Sequence, residues 1–108
     1  MIENKLRQIW EEGRPTLNGW LSIGNSFSAE IVAAQGYDSI GVDLQHGAID
    51  YQTALTMLQA MRASGTVPIV RTPWLEPGII MKALDAGAYG VICPMINTAE
   101  QAAEFVSY

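Results

Sequence analysis

Short apolar runs alternate with amphipathic stretches along the chain. The apolar runs predict four strands, at residues 17–23, 37–43, 66–71 and 89–93. Apolar residues at helical spacing follow each run, which predicts a helix after every strand. A leading amphipathic segment over residues 1–13 predicts one further helix, whose apolar face carries Ile2, Leu6, Ile9 and Trp10. Alternating strands and helices indicate an α/β fold with a parallel sheet and right-handed crossovers.

Polar residues and glycines mark the expected ends of the helices. The predicted capping residues are Ser26 or Ser28, Asp50, and Asn97 or Thr98, and Pro77 is predicted as a first helical residue. The predicted helix ends are Gly13, Gly36, a position near Gly65, and Gly87. These boundaries divide residues 17–108 into four strand–helix units behind the leading helix, all within one predicted domain.

The predicted strands are almost continuously apolar, as in Ile40-Gly41-Val42 and Gly90-Val91-Ile92-Cys93. Such runs are typical of parallel strands that are buried on both faces. Pro68 fits the third strand only near its start or where no backbone N–H is needed. The pattern does not distinguish a small doubly wound sheet from part of a barrel.

The chain has 108 residues, of which 49% are hydrophobic and 16% charged. This balance is typical of a globular protein, and the length suits one domain. A complete (β/α)₈ barrel usually needs about 250 residues, so the length excludes a whole barrel in one copy of this chain.

The remaining composition narrows the class of partner. No apolar run reaches the roughly 20 residues that span a bilayer, so we expect no membrane partner. The first residues are polar rather than signal-like, which predicts a cytoplasmic protein. One cysteine, Cys93, forms no internal disulfide framework. The net charge of −5, without a basic cluster, argues against nucleic acid as a partner.

Two residues with acid–base potential follow the second strand. His46 is the only histidine, and imidazole exchanges protons near neutral pH. Asp43, three residues earlier, is placed to accept a ring N–H and to orient that imidazole. Because parallel strands present their carboxyl ends at a common edge, we expect both residues at a functional rim. The alternative is a surface-loop histidine beside an aspartate that merely ends a strand.

Arg71 ends the third strand and should reach the same rim. Its planar guanidinium can hold a carboxylate through two parallel hydrogen bonds. The alternative is a salt bridge with a neighbouring Asp or Glu. Trp20 can line a pocket or pack in the core, and Cys93 is interpreted as packing rather than as a nucleophile. The chain has neither a dinucleotide fingerprint nor a P-loop.

Taken together, three segments resemble a known family, the HpcH/HpaI aldolases. They are Asp43-Leu44-Gln45-His46-Gly47, Pro68-Ile69-Val70-Arg71 and Ile92-Cys93-Pro94-Met95. The resemblance extends over the whole chain and includes Gly19-Trp20-Leu21 and Gly87-Ala88. It implies a carbon–carbon lyase, a metal-dependent class II pyruvate aldolase that cleaves 4-hydroxy-2-oxo acids to pyruvate and an aldehyde. It also implies that the chain forms a (βα)₄ half of a (β/α)₈ TIM barrel.

The same resemblance assigns roles to individual residues. It makes His46 the general base, with Asp43 as the carboxylate that pairs with it. It makes Arg71 the group that binds the 2-oxo acid's carboxylate and stabilises the enolate oxygen. Gln45 occupies a position often held by Glu, and Trp20 lies near the substrate pocket. Both are therefore expected on the substrate-binding side.

The resemblance further implies a divalent cofactor, namely magnesium, manganese or cobalt. Its ligands, a Glu and an Asp, are expected from later strands and not from these 108 residues, so we expect the chain alone to be inactive. The family usually forms hexamers, and open sheet edges favour association of this chain with itself. Two alternatives stay open: a truncated or designed half-barrel that acts only in folding or assembly, and a small doubly wound binding domain.

Overall fold

A computed structural model describes residues 3–108; of the predicted leading helix, Ile2 lies outside the described residues. The helices are α1 (Lys5–Glu11), α2 (Ser26–Ala33), α3 (Tyr51–Met61), α4 (Pro77–Asp85) and α5 (Ala99–Ser107), and a 3₁₀ turn, Arg62–Ser64, follows α3. The strands are β1 (Asn18–Leu21), β2 (Ser39–Asp43), β3 (Val67–Arg71) and β4 (Gly90–Ile92). The strands are shorter than the predicted apolar runs, because residues at the ends of those runs belong to the connecting loops.

The four strands form one parallel sheet in the order β1-β2-β3-β4. A doubly wound sheet reverses its strand order at a switch point, whereas a barrel adds each strand beside the previous one. The sequential order therefore decides the alternative that the pattern left open. The fold is α/β, and its four strand–helix units are arranged as one arc of a barrel.

The core lies between one face of the sheet and the helices. Alternate strand residues face the helices, and three of them, Ile40, Val42 and Val70, are completely buried. Small residues on α2, Ala29 and Ala33, belong to the same cluster. Their small size lets α2 lie close to its neighbour α3. Hydrophobic burial in this cluster stabilises the packing of the helices on the sheet.

The opposite side of the sheet, here called the open face, carries the other alternate residues. They are register partners across the strands: Trp20, Gly41, Ile69 and Gly90 in one row, and Asp43, Arg71 and Ile92 in the next. Trp20 and Ile92 are 42% and 41% exposed. Burial on both faces is thus complete only for β2, since the other strands have exposed or partly exposed residues on this side.

The residues that mark helix starts agree with the pattern in three helices, and the capping residue differs in a fourth. Asp50 caps α3, Pro77 begins α4, and Thr98 caps α5 through a capping box with Gln101. The predicted cap of α2, Ser26 or Ser28, is wrong, although α2 does begin at Ser26. Asn25 is the cap, and its side chain accepts a hydrogen bond from the Ser28 backbone, because Asn caps a helix as well as Ser does.

Two amphipathic helices bury less than their patterns indicate. In α1, Leu6 is buried, but Trp10 is 55% exposed and donates its indole N–H to Thr16. The predicted apolar face of α5 is exposed, with Val106 at 83%. Over residues 3–108, no helix is both long and apolar enough to cross a membrane.

Pro68 lies inside β3 without breaking the sheet. Its carbonyl accepts a hydrogen bond from the Tyr89 backbone, so this residue faces β4. In a parallel strand the N–H and C=O of one residue point to the same side. The pairing of β3 with β4 begins only at Gly90, so no β4 residue needs a backbone N–H donor from position 68.

We expect Met57→Ala to lower the free energy of unfolding by about 2–5 kcal/mol, because truncating a fully buried side chain leaves a cavity. Met57 is 0% exposed on α3, whereas Met81 on α4 is 47% exposed. The matched control Met81→Ala should change stability by less than about 0.5 kcal/mol. Urea denaturation measures both, and equal losses would contradict the packing of α3 against the sheet.

Candidate active site

The candidate site residues gather at one end of the sheet. Trp20 lies near the end of β1, while Asp43 and Arg71 are the last residues of β2 and β3. Gln45 and His46 follow in the loop after β2. All five therefore share the carboxyl rim, which is where parallel α/β folds build their sites.

Asp43 and Arg71 form a bidentate ion pair across neighbouring strands. Arg71 Nε donates to Asp43 Oδ1 at 2.9 Å, and Arg71 Nη2 donates to Oδ2 at 2.6 Å. The side chain of Asp43 is 3% exposed and that of Arg71 is 25% exposed. The guanidinium fork matches a carboxylate in this geometry, so the pair holds Arg71 in one orientation. The salt bridge that the sequence left as an alternative is thus formed.

Asp43 contacts His46 differently from the prediction. Its Oδ1 accepts backbone N–H bonds from Gln45 at 3.0 Å and from His46 at 3.2 Å. In the part of the chain that the structure describes, no hydrogen bond joins the His46 ring to Asp43. The ring–carboxylate hydrogen bond that the spacing predicts is therefore not formed in this structure, and the catalytic roles of the two residues stay predictions. The physical reason is that Arg71 and the loop backbone occupy both carboxylate oxygens.

Trp20 completes the surroundings of the ion pair. The Cζ atom of Arg71 lies 5.1 Å from the centroid of the Trp20 ring, within the range of a cation–π contact. The indole Nε1 lies 3.4 Å from Asp43 Oδ2, a long hydrogen bond. Trp20 therefore contacts both members of the pair from the open face.

The side chains of His46 and Gln45 extend from a tightly folded loop. His46 is exposed and Gln45 is half-buried. Sequence reasoning missed the part played by Gly47, where a Cβ would collide with the Asp43 carbonyl oxygen and lie 3.2 Å from the Ser22 oxygen. The glycine after His46 was the available signal, because glycine permits such close approach of backbone segments.

Charge pairing dominates the electrostatics of this rim. The hydrogen-bonded Arg71 guanidinium holds the pKa of Asp43 well below its ordinary value of 3.8, although burial opposes the shift. The backbone N–H groups of His46 and Gln45 lower this pKa further. In turn, Asp43 raises the pKa of Arg71. Asp43 is therefore ionised at neutral pH and acts as an acceptor, not as an acid.

The described residues do not supply a site for the divalent ion that the resemblance implies. Among residues 3–108, no group of three or more His, Cys, Asp or Glu side chains can hold a metal ion. Both oxygens of Asp43, the buried carboxylate of the rim, already accept hydrogen bonds from Arg71. The donors present at the rim therefore do not fit a metal centre by themselves.

A cleft of about 360 Å³ lies away from this rim, between α1 and the amino ends of β3 and β4. Its lining includes Lys5, Arg62, Val67 and Tyr89. It contains none of the five candidate residues, so its size does not bear on their chemistry.

We expect Asp43→Asn to lower the free energy of unfolding by about 2–3 kcal/mol at pH 7, less than for a fully buried pair because Arg71 is partly exposed. Since the pKa of Asp43 is depressed, its stabilising effect is present above pH 3.8 and is lost as the pH falls toward the folded-state pKa. The difference between the two proteins should be constant from pH 7 to about pH 5 and shrink at pH 3. Urea denaturation at these pH values is the measurement.

Asp50→Asn is the matched control for that substitution. Asp50 caps α3 by accepting a hydrogen bond from the Thr53 backbone, and Asn caps a helix equally well. Its effect at pH 7 should stay below about 0.5 kcal/mol. An Asp43→Asn effect as small as this would contradict a stabilising role for the ion pair.

Comparison with known proteins places this geometry in a family. The model of the HpcH/HpaI aldolase/citrate lyase family matches residues 18–108. A hydroxypyruvate/pyruvate aldolase of Rhizorhabdus wittichii is 46% identical over 104 residues, covering 96% of this chain and 41% of that protein. A 4-hydroxy-2-oxo-heptane-1,7-dioate aldolase of Salmonella arizonae is 37% identical over 106 residues, covering 98% and 40%.

Solved structures agree with these relatives. A crystal structure of an HpcH/HpaI aldolase/citrate lyase family protein from Burkholderia cenocepacia superposes with a TM-score of 0.88 at 37% identity. The match covers 96% of this chain and 42% of that one. The chain thus spans about two fifths of the length of its relatives. The resemblance found in the sequence is confirmed: the chain belongs to the HpcH/HpaI aldolase/citrate lyase family.

Proposed function

We propose that this chain contributes the amino-terminal half of the barrel in a class II aldolase that cleaves 4-hydroxy-2-oxo acids to pyruvate and an aldehyde. The observation that carries the proposal is the Arg71 guanidinium, which is held in one orientation at the carboxyl rim that also bears the exposed His46. The aldolase relatives support the reaction class.

Arg71 is the proposed carboxylate-binding group. Its Nε and one N–H of Nη2 donate to Asp43. Within residues 3–108, no hydrogen bond engages Nη1 of Arg71. The N–H groups of this guanidinium nitrogen can therefore donate to a substrate carboxylate. A preoriented guanidinium loses little freedom when the 2-oxo acid binds, and this favours a fixed substrate position.

His46 is the proposed base. The ring takes the proton of the C4 hydroxyl, and the electron pair left on that oxygen forms the second bond of the aldehyde carbonyl. The C3–C4 bond breaks, and its electrons form the enolate of pyruvate. The proton held by the His46 ring then passes to C3, directly or through water, which gives pyruvate and restores the base. Positive charge near the developing enolate, as Arg71 provides, lowers the barrier. Asp43 acts here by orienting Arg71 and holding the backbone of the His46 loop.

Substrate contacts beyond the carboxylate involve Trp20 and Gln45. The names of the relatives suggest pyruvate or hydroxypyruvate as one reactant, and 4-hydroxy-2-oxo-heptane-1,7-dioate as one candidate for cleavage. The Trp20 and Gln45 side chains lie on the same rim as Arg71, which supports a common pocket.

We place the reaction in the cytoplasm.

The proposed enzyme is metal-dependent, with magnesium, manganese or cobalt held by a Glu and an Asp outside residues 1–108. The donor set at this rim does not fit such an ion alone. We therefore propose that the 108-residue chain by itself does not catalyse the cleavage.

An activity test compares the chain with a chimera. The chimera joins residues 1–108 to the part of the Rhizorhabdus wittichii aldolase that this chain does not cover. With a 4-hydroxy-2-oxo acid and excess manganese, the chain alone should release no more pyruvate than its His46→Ala variant. The chimera should release pyruvate, and His46→Ala should lower its kcat by about 10²–10⁴-fold because the base is lost.

Arginine variants of the chimera test the carboxylate site. Arg71→Lys should raise KM, because lysine lacks the planar fork. The control Arg62→Lys alters an exposed arginine at the opposite end of the sheet and should leave KM unchanged. A folded chimera without pyruvate release, or activity of the chain alone well above its His46→Ala variant, would contradict the proposal.

Association of the chain with itself is the second part of the proposal. The strands β1 and β4 are the outer strands of the described sheet, and Ile92 on β4 is 41% exposed on the open face. Unpaired edges and exposed apolar faces favour pairing with another chain. We propose edge-paired oligomers for this chain and a hexamer for the full-length enzyme.

Light scattering over a range of concentrations measures this association. The chain should form oligomers, and Ile92→Glu should shift it toward monomer, because a charge on the edge strand opposes pairing. Val106→Glu, on the exposed side of α5, is the control and should have no effect. A folded monomer at high concentration would refute edge pairing.

A further inference from the structure

Gly41 occupies an unusual place for a glycine. It lies in the middle of β2, with Trp20 as its register partner on β1 and Ile69 on β3. Glycine in a strand interior is destabilising by about 0.5–1 kcal/mol relative to alanine. Its φ lies outside the left-handed region, so the backbone does not require glycine. The reason must lie in the space above it on the open face.

The indole of Trp20 fills that space. A Cβ atom on Gly41 would lie 2.5 Å from Trp20 Cζ3 and closer still to Cε3. The ring therefore lies directly on the backbone of β2, and even a methyl group at position 41 would displace it. Gly90, in the same row on β4, differs: its nearest neighbour would be Ile69 Cγ1 at 3.4 Å, an ordinary contact.

This placement lets Trp20 reach Arg71 from two strands away. Neighbouring strands lie about 4.8 Å apart, so β1 and β3 are separated by roughly 10 Å. The ring centroid nevertheless lies 5.1 Å from Arg71 Cζ, and Nε1 reaches Asp43. A side chain at position 41 would stand in the path of the ring, because it would project from the same face of β2.

We propose that Gly41 and Trp20 are positioning residues for Arg71: the side-chain-free surface of Gly41 lets the indole cross β2 and lie against the guanidinium. The ring excludes water from that side and strengthens the bonds to Asp43. A carboxylate then approaches Arg71 through its free Nη1 rather than through the side that Trp20 covers. The part that concerns the carboxylate rests on the proposed function, whereas the contact between the three residues does not.

The test follows the Nε–H resonance of Arg71 by NMR in the purified chain, assigned with Arg71→Lys. We expect a ring-current shift from Trp20 that Gly41→Ala largely removes. Gly90→Ala, a matched control on the same face, should leave the resonance in place, and both variants should retain the fold by circular dichroism. Trp20→Ala should remove the shift as Gly41→Ala does.

Pyruvate titrated into the same samples measures the consequence for binding. Gly41→Ala should weaken pyruvate binding by about 2- to 30-fold, the range expected for loss of one cation–π contact. In a Trp20→Ala background, Gly41→Ala should have no further effect, because it acts through the ring. This dependence separates positioning from a general loss of stability.

Two results would overturn the inference. One is an Arg71 resonance that Gly41→Ala leaves unmoved in a folded chain. The other is a Gly41→Ala effect that is equally large when Trp20 is absent. Should pyruvate fail to perturb Arg71 even in the unsubstituted chain, the carboxylate role under the proposed function fails, and the response of the resonance to Gly41→Ala still decides the contact.

Discussion

The Asp43–Arg71 ion pair is the interaction on which the candidate site depends. One buried carboxylate accepts bonds from the guanidinium on β3, from two backbone N–H groups of its own loop, and from the indole on β1. A buried aspartate with fewer partners would be costly, so these contacts reinforce one another. Asp43 thus fixes both the direction of Arg71 and the start of the loop that presents His46.

The two faces of the sheet divide stability from chemistry. Toward the helices, Ile40, Val42 and Val70 are fully buried and supply hydrophobic free energy. Toward the open face, the same two strands present a glycine and an ion pair, and β1 adds a partly exposed tryptophan. Because side chains along a strand point alternately to opposite faces, a short strand such as β2 contributes to the core on one face and to the candidate site on the other.

Local pattern predicted much of this protein. Apolar runs and capping residues located the strands and most helix starts, including Asp50, Pro77 and Thr98, because these signals act within a few residues. The order strand–helix–strand also placed Asp43, His46 and Arg71 on a common rim, since parallel strands end at the same edge. Motifs in three segments identified the family, which comparison with relatives confirms.

What the sequence determined by itself was therefore the alternation of elements, the family and the edge at which the polar residues meet. Only the tertiary structure decided the strand order and the partner of Asp43. Spacing favoured His46, three residues away, but strand register places Arg71, 28 residues away, directly beside the carboxylate. The tertiary structure likewise revealed why Gly41 lacks a side chain. Contacts across strands depend on the register of the strands and on the space between neighbouring side chains. The spacing of residues along one strand predicts neither of these.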